Sequence, residues 1–170
     1  MLNIEYKAEL RERDLARGVC RTLGAVFQGK FEQTDVFVRV DEGRLKRREC
    51  PGEPTHWIWY KRSDQLGVRE SQWTKLDEQQ VDVRFPGLDR RPWKRVVKRR
   101  ELWTLENIRI HLDEVLGIGS FLEFEGVVAQ GVDAQETRLK VEHLVAEFRP
   151  LLGEPIASSY EALVEPLTTV

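Results

Sequence analysis

The sequence predicts a mainly β protein with flanking helices, an α+β chain whose eight antiparallel strands close into a barrel. Three observations lead to this fold class. Apolar and polar residues alternate with a period of two in roughly eight segments. Helical spacing occurs only near the two ends of the chain. Because a sheet of consecutive hairpins leaves two unpaired edges unless it closes, we expect a closed barrel formed as a single domain over residues 1–170.

Length and composition set the broad class of protein. A chain of 170 residues with 41% hydrophobic and 33% charged residues is typical of a globular domain with its own core. The net charge of −2 argues against a nucleic-acid binder held by bulk charge. No apolar run approaches the roughly 20 residues of a membrane span, and Cys20 and Cys50 lack metal-ligand spacing. We therefore expect a cytoplasmic protein with reduced thiols and no membrane partner.

The first elements are a strand and a short helix. Residues 3–11 alternate strictly, with one apolar face and one charged face. Asp14 is the predicted N-cap of a helix that Gly24 ends, and Gly29 is predicted to form a turn. The predicted apolar stripe of this helix consists of Leu15, Val19 and Leu23.

The middle of the chain continues as strands. Alternation predicts strands over residues 31–40, 44–49, 55–62 and 68–76, with a hairpin turn at residues 41–43. Residues 77–92 resist assignment, because the part from 79 to 85 fits a helix or a strand and three later Pro or Gly residues interrupt it.

The last third begins with a basic strand over residues 93–103 and a hairpin over residues 107–125. A helix capped by Asp133 is then predicted to run to Phe148, followed by a short helix within residues 158–164. The predicted apolar side of the longer helix consists of Leu139, Val141, Leu144, Val145 and Phe148. The five tryptophans are expected to cover the outside of the barrel.

The hairpin over residues 107–125 carries the densest group of acids. Asp113 shares a strand face with Arg109 and His111, and Glu123 and Glu125 share a face of the returning strand. Carboxylates placed this close repel one another unless a cation or nearby arginines neutralise them. A solvent-facing polar side of an amphipathic hairpin is the alternative interpretation.

Closure of the barrel would turn the charged strand faces into the bore. Burial of so many charges is unfavourable without water and a counter-ligand. The residues expected to face the bore are Glu5, Lys7, Arg39, Lys46, Arg48, Arg69, Lys98, Arg100, Arg109, Asp113, Glu123 and Glu125.

A bore of mixed charge suits one class of ligand. Arginine and lysine side chains bind phosphate oxygens, and clustered carboxylates bind a hard divalent cation such as Mg²⁺ or Mn²⁺. Together these groups fit a metal–triphosphate complex. The chain has no G-x-x-x-x-G-K-[ST] loop, so it is not a P-loop protein.

Five segments, in order, carry a resemblance to a known family. The opening Asn3-Ile4-Glu5-Tyr6-Lys7 resembles the Glu-x-Glu-x-Lys signature of the CYTH superfamily, the triphosphate tunnel metalloenzymes. Residues 43–49, 96–100, 109–115 and 121–125 are similar to later segments of that family. The likeness is closest to the branch of the class IV adenylyl cyclases, alongside thiamine triphosphatase-like proteins.

The resemblance implies an eight-stranded antiparallel tunnel with defined residue roles. Glu5, Glu123 and Glu125 are the implied ligands of Mg²⁺ or Mn²⁺, with Asp113 assisting, and Lys7 is the implied catalytic residue. The implied triphosphate-binding residues are Lys46, Arg48, Arg69, Lys98, Arg100 and Arg109, with Arg39 and Arg62 as further candidates. Asn3 departs from the signature, since the family has a glutamate there, and this leaves open whether one or two metal ions bind.

The sequence leaves several functions open. A hydrolase would direct water at a terminal phosphorus, with Lys7 positioning or deprotonating it, and a cyclase would use the ribose 3′-hydroxyl at the α-phosphorus. A non-catalytic triphosphate or polyphosphate binder is a second hypothesis. A nucleic-acid module built on residues 94–100, with Trp93 and Trp103 for stacking, is a third that we do not favour. ATP, thiamine triphosphate and inorganic triphosphate all remain candidate substrates, and a homodimer is among the open oligomeric states.

Overall fold

The computed structural model describes residues 1–167, and residues 168–170 of the predicted domain lie outside the described residues. The described chain is mostly β, with four α-helices around one sheet. Its elements in chain order are β1 (Leu2–Leu10), α1 (Arg13–Thr22), β2 (Val26–Val38), β3 (Arg44–Glu49), β4 (His56–Arg62), β5 (Arg69–Leu76), α2 (Glu78–Arg84), β6 (Lys94–Leu105), β7 (Ile108–Val115), β8 (Gly119–Val128), α3 (Ala134–Phe148), a 3₁₀ turn (Arg149–Leu151), β9 (Leu152–Pro155) and α4 (Tyr160–Leu163).

The sheet closes on itself, which confirms the predicted barrel. Its strand order is β5-β4-β3-β2-β6-β7-β8-β1-β9, and an additional pairing of β5 with β1 completes a ring of eight strands. Every pairing is antiparallel. Closure leaves the eight ring strands without a free edge, and the ninth strand, which the sequence did not predict, pairs with Ala8 and Leu10 of β1, beyond the residues of β1 that pair with β5.

The prediction of sequential hairpins was wrong at two places. β1 lies between β5 and β8, and β2 pairs with β6 as well as with β3. The 13-residue β2 pairs with β6 over residues 26–37 and with β3 only over residues 34–38. Alternation identifies the two faces of a strand but says nothing about which other strand lies beside it.

The first helix is rotated relative to the prediction. Its N-cap is Glu12, which makes no side-chain cap bond, and Asp14 lies in the first turn instead. Ala16 and Cys20 are buried, whereas Leu15 is 58% exposed. Val19 and Leu23 are partly buried against the same core, so Leu15 is the residue of the predicted stripe that faces away from it.

Gly29 does not form the predicted turn. β2 runs straight through it, and the register with β6 shifts between Phe27 and Gly29, which is a β-bulge. Gly29 has a φ of +142°, a value that L side chains rarely adopt. A Cβ at this position would lie 3.3 Å from the ring of Phe31. Because glycine has no side chain, the ring packs directly against the backbone of residue 29.

The unassigned stretch after β5 contains α2. Asp77 caps this helix in a capping box, because its side chain accepts from the Gln80 backbone N–H and the Gln80 side chain accepts in return. Val81 of α2 is fully buried and packs with Trp57 of β4 in a cluster on the outside of the barrel. The helix therefore covers the outer face of β4 and β5.

The main hydrophobic core lies between the barrel and α1 and α3. Ile4, Ile110, Phe124 and Phe148 are fully buried there. The N-cap of α3 is Asp133, as predicted, with its side chain accepting from the Glu136 N–H. The predicted apolar side of α3 is correct except at Leu139, which is 56% exposed.

A second apolar cluster fills one end of the bore. Phe37, Val96, Val115 and Phe121 lie on the inward faces of their strands and are buried around Tyr160 of α4. The rings of Phe121 and Tyr160 are 5.1 Å apart. This end of the bore, which we call the closed end, is therefore sealed, and the remaining cavity opens toward the other end.

Among residues 1–167, no helix has the length and apolar composition needed to cross a membrane.

Candidate active site

The bore holds a cavity of about 470 Å³, within the range of ligand-binding pockets. Side chains of both charge signs line it together. The cations are Lys7, Lys46, Arg48, Arg62, Lys75, Lys98, Arg100 and Arg109, and the carboxylates are Glu5, Asp35, Glu53, Glu123 and Glu125. Most of the residues that the sequence placed in the bore therefore meet in one cavity.

Strand register explains why the acids meet. Glu5 of β1 lies directly opposite Glu125 of β8, and Lys7 lies opposite Glu123. On the other side of β8, Arg109 faces Glu125 and His111 faces Glu123. Residues opposite one another on the same face of a sheet bring their side chains within contact range. Glu5 of β1 and the two glutamates of β8 therefore form one acidic wall, with Arg109 and His111 of β7 beside it.

Each carboxylate of the acidic wall already has a cationic partner. Glu5 binds Arg62 at 2.8 Å, and Glu125 binds Arg109 at 3.0 Å. Glu123 lies 3.3 Å from Lys7 Nζ and 3.1 Å from Arg100. Each acid of the wall therefore has at least one cationic neighbour in the free protein.

The pKa values of the two best-buried acids of this wall shift in opposite directions. Burial and the negative charge of Glu123 raise the pKa of Glu5, and Arg62 offsets this only in part. Burial also opposes ionisation of Glu123, but Lys7, His111 and Arg100 together hold the pKa of Glu123 well below its usual range. The negative charge at Glu5 is therefore only partly compensated in the absence of a further cation.

The opposite wall is basic and is organised by one acid. Asp35 of β2 accepts two hydrogen bonds of 2.7 Å from Arg48 and lies 2.9 Å from Lys46 Nζ and 3.5 Å from Lys98 Nζ. Burial and the neighbouring Arg48 lower the pKa of Lys46 to about 8. Burial and Arg100 hold the pKa of Lys98 well below its usual value.

Three residues expected in the bore do not reach the cavity. Asp113 is fully buried behind the wall, where Arg100 donates to it at 2.7 and 2.6 Å and the Tyr160 hydroxyl donates at 2.9 Å. Arg69 donates to the carbonyl oxygens of Gln65 and Ile156. Arg39 lies over the Trp93 ring outside the cavity, 4.7 Å from its centroid. This placement does not support direct ligand contacts for these three side chains.

Sequence reasoning also missed residues that line the cavity. Asp35 lies on the same face of β2 as Gln33 and Phe37, and all three line the cavity. The alternation along β2 was therefore the sequence signal that could have placed Asp35 in the bore. Trp73 was expected to cover the barrel but lines the cavity. Tyr160 belongs to the family resemblance through the Ser159-Tyr160 pair before the last helix, but no residue pattern placed it in the bore; its ring centroid lies 3.9 Å from Lys7 Nζ, because α4 folds back over the closed end.

The acidic wall suits a divalent cation in its donor atoms. Glu5, Glu123 and Glu125 offer the oxygen ligands that Mg²⁺ and Mn²⁺ prefer. Asn3 is fully buried beside them: its Nδ2 donates to Glu125 at 2.6 Å, and its Oδ1 is buried without a partner. In their present ion pairs, no three His, Cys, Asp or Glu groups within residues 1–167 converge as a metal site. The donor set therefore fits such an ion, provided that the side chains turn from their present partners.

Comparisons with known proteins agree with this fold. The family model of the CYTH domain matches residues 1–155. A search of curated proteins found no significant match. The PH1819 protein of Pyrococcus horikoshii is 26% identical with a TM-score of 0.64, covering 95% of this chain and 97% of its own.

Two structures with reported activities also share the fold. HpAC1 from Hippeastrum, which has a dominant triphosphatase activity, is 15% identical with a TM-score of 0.59 over 95% of this chain and 94% of its own. The RNA triphosphatase Pct1 of Schizosaccharomyces pombe is 12% identical with a TM-score of 0.59 over 90% and 86%. At these identities the likeness concerns the fold. Because the family model spans nearly the whole barrel, the chain belongs to the CYTH domain family.

Proposed function

We propose that this protein is a divalent-metal-dependent enzyme that hydrolyses a triphosphate inside the barrel. The observation that carries the proposal is the opposition of an acidic wall and a basic wall across one cavity. A triphosphate alone would be repelled by the acids, and a metal ion alone would be repelled by the cations. A metal–triphosphate complex satisfies both walls at once.

The basic wall supplies the phosphate contacts. Lys46, Arg48, Lys98 and Arg100 line the cavity, and Arg109 lies at its more exposed part with its side chain 42% accessible. Arginine offers paired N–H donors that match phosphate oxygens. In the free protein each of these cations is paired with a carboxylate. These pairs hold the cations at the cavity wall before a phosphate binds.

The acidic wall supplies the metal contacts. Glu5, Glu123 and Glu125 would hold Mg²⁺ or Mn²⁺, and the unpartnered Oδ1 of Asn3 offers a neutral oxygen beside them. When bound, the ion neutralises phosphate oxygens and polarises the scissile P–O bond. Asp113 is left out of this set, because Arg100 and Tyr160 occupy its oxygens.

Lys7 is the proposed catalytic residue. It is buried at 3% exposure between Glu123 and the Tyr160 ring. Burial lowers its pKa, while Glu123 acts in the opposite direction. An amine in that setting is suited to holding, or accepting a proton from, an attacking water. The triphosphatase activity of HpAC1, a structural neighbour, supports hydrolysis as the reaction.

The test is a phosphorus NMR assay of the purified full chain with Mg²⁺ or Mn²⁺ and, in turn, ATP, thiamine triphosphate and inorganic triphosphate. We expect metal-dependent release of orthophosphate, lost in Glu123→Gln. Glu114→Gln is the matched control, because Glu114 is an exposed acid on β7 outside the cavity and should keep full activity.

Other outcomes contradict hydrolysis in distinct ways. Pyrophosphate together with a cyclic nucleotide would identify a cyclase. Binding without any phosphorus product would identify a non-catalytic triphosphate-binding module. Turnover that survives Glu123→Gln would remove the acidic wall from the reaction.

A further inference from the structure

A second cleft lies on the outer face of the barrel, apart from the site in the bore. Its volume is about 530 Å³, within the range of small-molecule pockets. Because Arg100 and Leu102 of β6 line the bore, the alternate residues Glu101 and Trp103 face outward, where Arg17 of α1 reaches Glu101. We call this space between α1 and the barrel wall the outer cleft. Its lining residues are Arg17, Arg21, Phe27, Lys30, Glu101 and Trp103.

The β-bulge of β2 turns one aromatic ring toward the outer cleft. Strict alternation would place Phe27 on the same strand face as Phe31, which lines the bore. The bulge between Phe27 and Gly29 inserts one extra residue, so Phe27 pairs with Trp103 and changes face. The centroids of the Phe27 and Trp103 rings are 5.0 Å apart, and Phe27 is 46% exposed. An aromatic face is therefore accessible on the outer wall.

The buried acid of the outer cleft is surrounded by cations. Glu101 is 4% exposed and accepts a hydrogen bond of 2.9 Å from Arg17 Nε. Lys30 and Arg13 lie 3.7 and 3.8 Å from the same carboxylate. Asp14, at the exposed side of the helix, also pairs with Arg17. Three cations thus share two carboxylates, which leaves a surplus of positive charge.

Arg21 adds a fourth cation to this surplus. It lies one helical turn after Arg17, on the same face of α1. Its guanidinium carbon is 5.8 Å from the centroid of the Trp103 ring, and within residues 1–167 no carboxylate oxygen lies within 4.0 Å of its nitrogen atoms. Arg21 and Lys30 are both exposed, so an anion from solvent can reach them.

The indole of Trp103 lacks a hydrogen-bond partner. Trp103 is 5% exposed, and its Nε1 is buried without an acceptor among residues 1–167. A buried donor left in this state costs stability. The pair of Arg17 and Glu101 explains how α1 is attached to the barrel, but it does not account for the unpaired Arg21, the accessible Phe27 ring or this indole N–H. An anionic ligand in the outer cleft would supply the acceptor atoms that are absent.

We propose that the outer cleft binds a small organic anion, whose charged group contacts Arg21 and Lys30 and whose flat apolar part packs on Phe27. Oxygen atoms of a phosphate, phosphonate or carboxylate match the N–H donors of arginine and lysine. A ring attached to that group covers the exposed aromatic face, which a bare inorganic ion would leave in contact with water. This binding site is separate from the bore, so the inference goes beyond the proposed function and does not depend on it.

The test is a nuclear magnetic resonance titration of the ¹⁵N-labelled full chain, in which each of the five tryptophans gives one indole N–H signal. Trp103→Phe identifies the signal of Trp103. Phenylphosphonate is the probe, because it carries both an anionic group and a ring and has no phosphate ester to hydrolyse; methylphosphonate lacks the ring, and benzyl alcohol lacks the charge. We expect phenylphosphonate to shift the Trp103 signal saturably with a Kd of about 1 mM or below, about tenfold or more below the Kd of either fragment.

Variants of the outer cleft test the individual contacts. Arg21→Gln and Phe27→Ala should each weaken phenylphosphonate binding by about fivefold or more, and Phe27→Ala should leave the affinity for methylphosphonate unchanged. Lys61→Gln is the matched control for net charge, because Lys61 lies on β4 and pairs with Glu42 outside the outer cleft. Lys46→Gln removes a cation from the bore and should not change the affinity measured at the outer cleft.

Four outcomes would overturn the proposal. They are a Trp103 signal that does not shift saturably, equal affinities for phenylphosphonate and its two fragments, equal weakening by Arg21→Gln and Lys61→Gln, and weakening by Lys46→Gln alone. The third would assign the binding to bulk charge, and the fourth would place the probe in the bore. Calorimetry of the same variants keeps the proposal testable if Trp103→Phe fails to fold. Because no measurement requires turnover, failure of the proposed hydrolysis would leave this result unaffected.

Discussion

Asp35 and Arg48 lie directly opposite each other on β2 and β3, and the carboxylate accepts two hydrogen bonds of 2.7 Å from the guanidinium. Lys46 and Lys98 approach the same carboxylate. Without this acid, three buried cations would face one another with no counter-charge. The basic wall therefore depends on Asp35 for its stability in the free protein.

Replacing Asp35 should be costly. Asp35→Asn keeps the shape of the side chain but leaves Arg48, Lys46 and Lys98 without a negative partner at a position only 1% exposed. We expect the free energy of unfolding to fall by about 3 kcal/mol, as when one member of a buried ion pair is removed. Chemical denaturation at neutral pH measures this. Asp41→Asn, an exposed acid in the turn after β2, should change stability very little, and equal effects of the two substitutions would contradict the assignment.

Stability should also fall in acid because of the same residue. Although burial disfavours its charged form, Arg48, Lys46 and Lys98 hold the pKa of Asp35 well below its usual range. A folded-state pKa below the unfolded value of about 3.9 adds stability that is fully present above that value. The contribution is lost as the pH falls through the folded-state pKa. Denaturation curves should therefore show the wild type and Asp35→Asn converging below about pH 4, and a constant difference down to about pH 2 would argue against it.

Lys7 should matter for turnover more than for substrate binding. Lys7→Met removes the amine beside Glu123 while retaining a long apolar side chain. If the amine positions or deprotonates the attacking water, kcat should fall by about 100-fold or more. Steady-state kinetics with the best substrate of the NMR panel, together with a thermal melt, provides the measurement. Lys30→Met is the control, because the side chain of this β2 lysine is 70% exposed. An increase in KM with kcat unchanged would assign Lys7 to phosphate binding instead.

Asn3 offers a test of metal binding that does not depend on activity. Asn3→Asp places a carboxylate where the structure has an unpartnered Oδ1 and removes the donor to Glu125. In EDTA the melting temperature should fall, because a fully buried acid at residue 3 then faces the partly buried Glu125. Mn²⁺ should raise it more than it raises that of the wild type, since an ion that binds only the folded state stabilises it.

Asn107→Asp is the matched control for that experiment. Asn107 donates to Val127 and Thr137 outside the cavity, so the substitution also lowers stability but creates no acid next to Glu125. Its response to Mn²⁺ should equal that of the wild type. If Asn3→Asp responds no more strongly than Asn107→Asp, the metal does not bind at the acidic wall.

Most of the candidate site could be predicted from the sequence, because the alternation of apolar and polar residues identifies the two faces of each strand. Glu5, Lys7, Glu123 and Glu125 line the cavity as their parity predicted. Parity does not give the depth of a residue along the bore. It therefore could not show that Asp113 is bound by Arg100 and Tyr160 and does not reach the cavity. Arg69 has the correct parity as well, yet backbone carbonyl oxygens take up one of its N–H groups.

The sequence by itself determined that the chain is built of alternating strands and that their charged faces belong together. Side-chain direction along a strand is a local property of the backbone, so a local pattern records it. Only the tertiary structure decided that β1 lies between β5 and β8, that Asp35 gathers the basic wall, and that Tyr160 seals one end of the bore. Those features depend on contacts between segments far apart in the chain, and the free energy of such contacts is set by packing that no short pattern encodes.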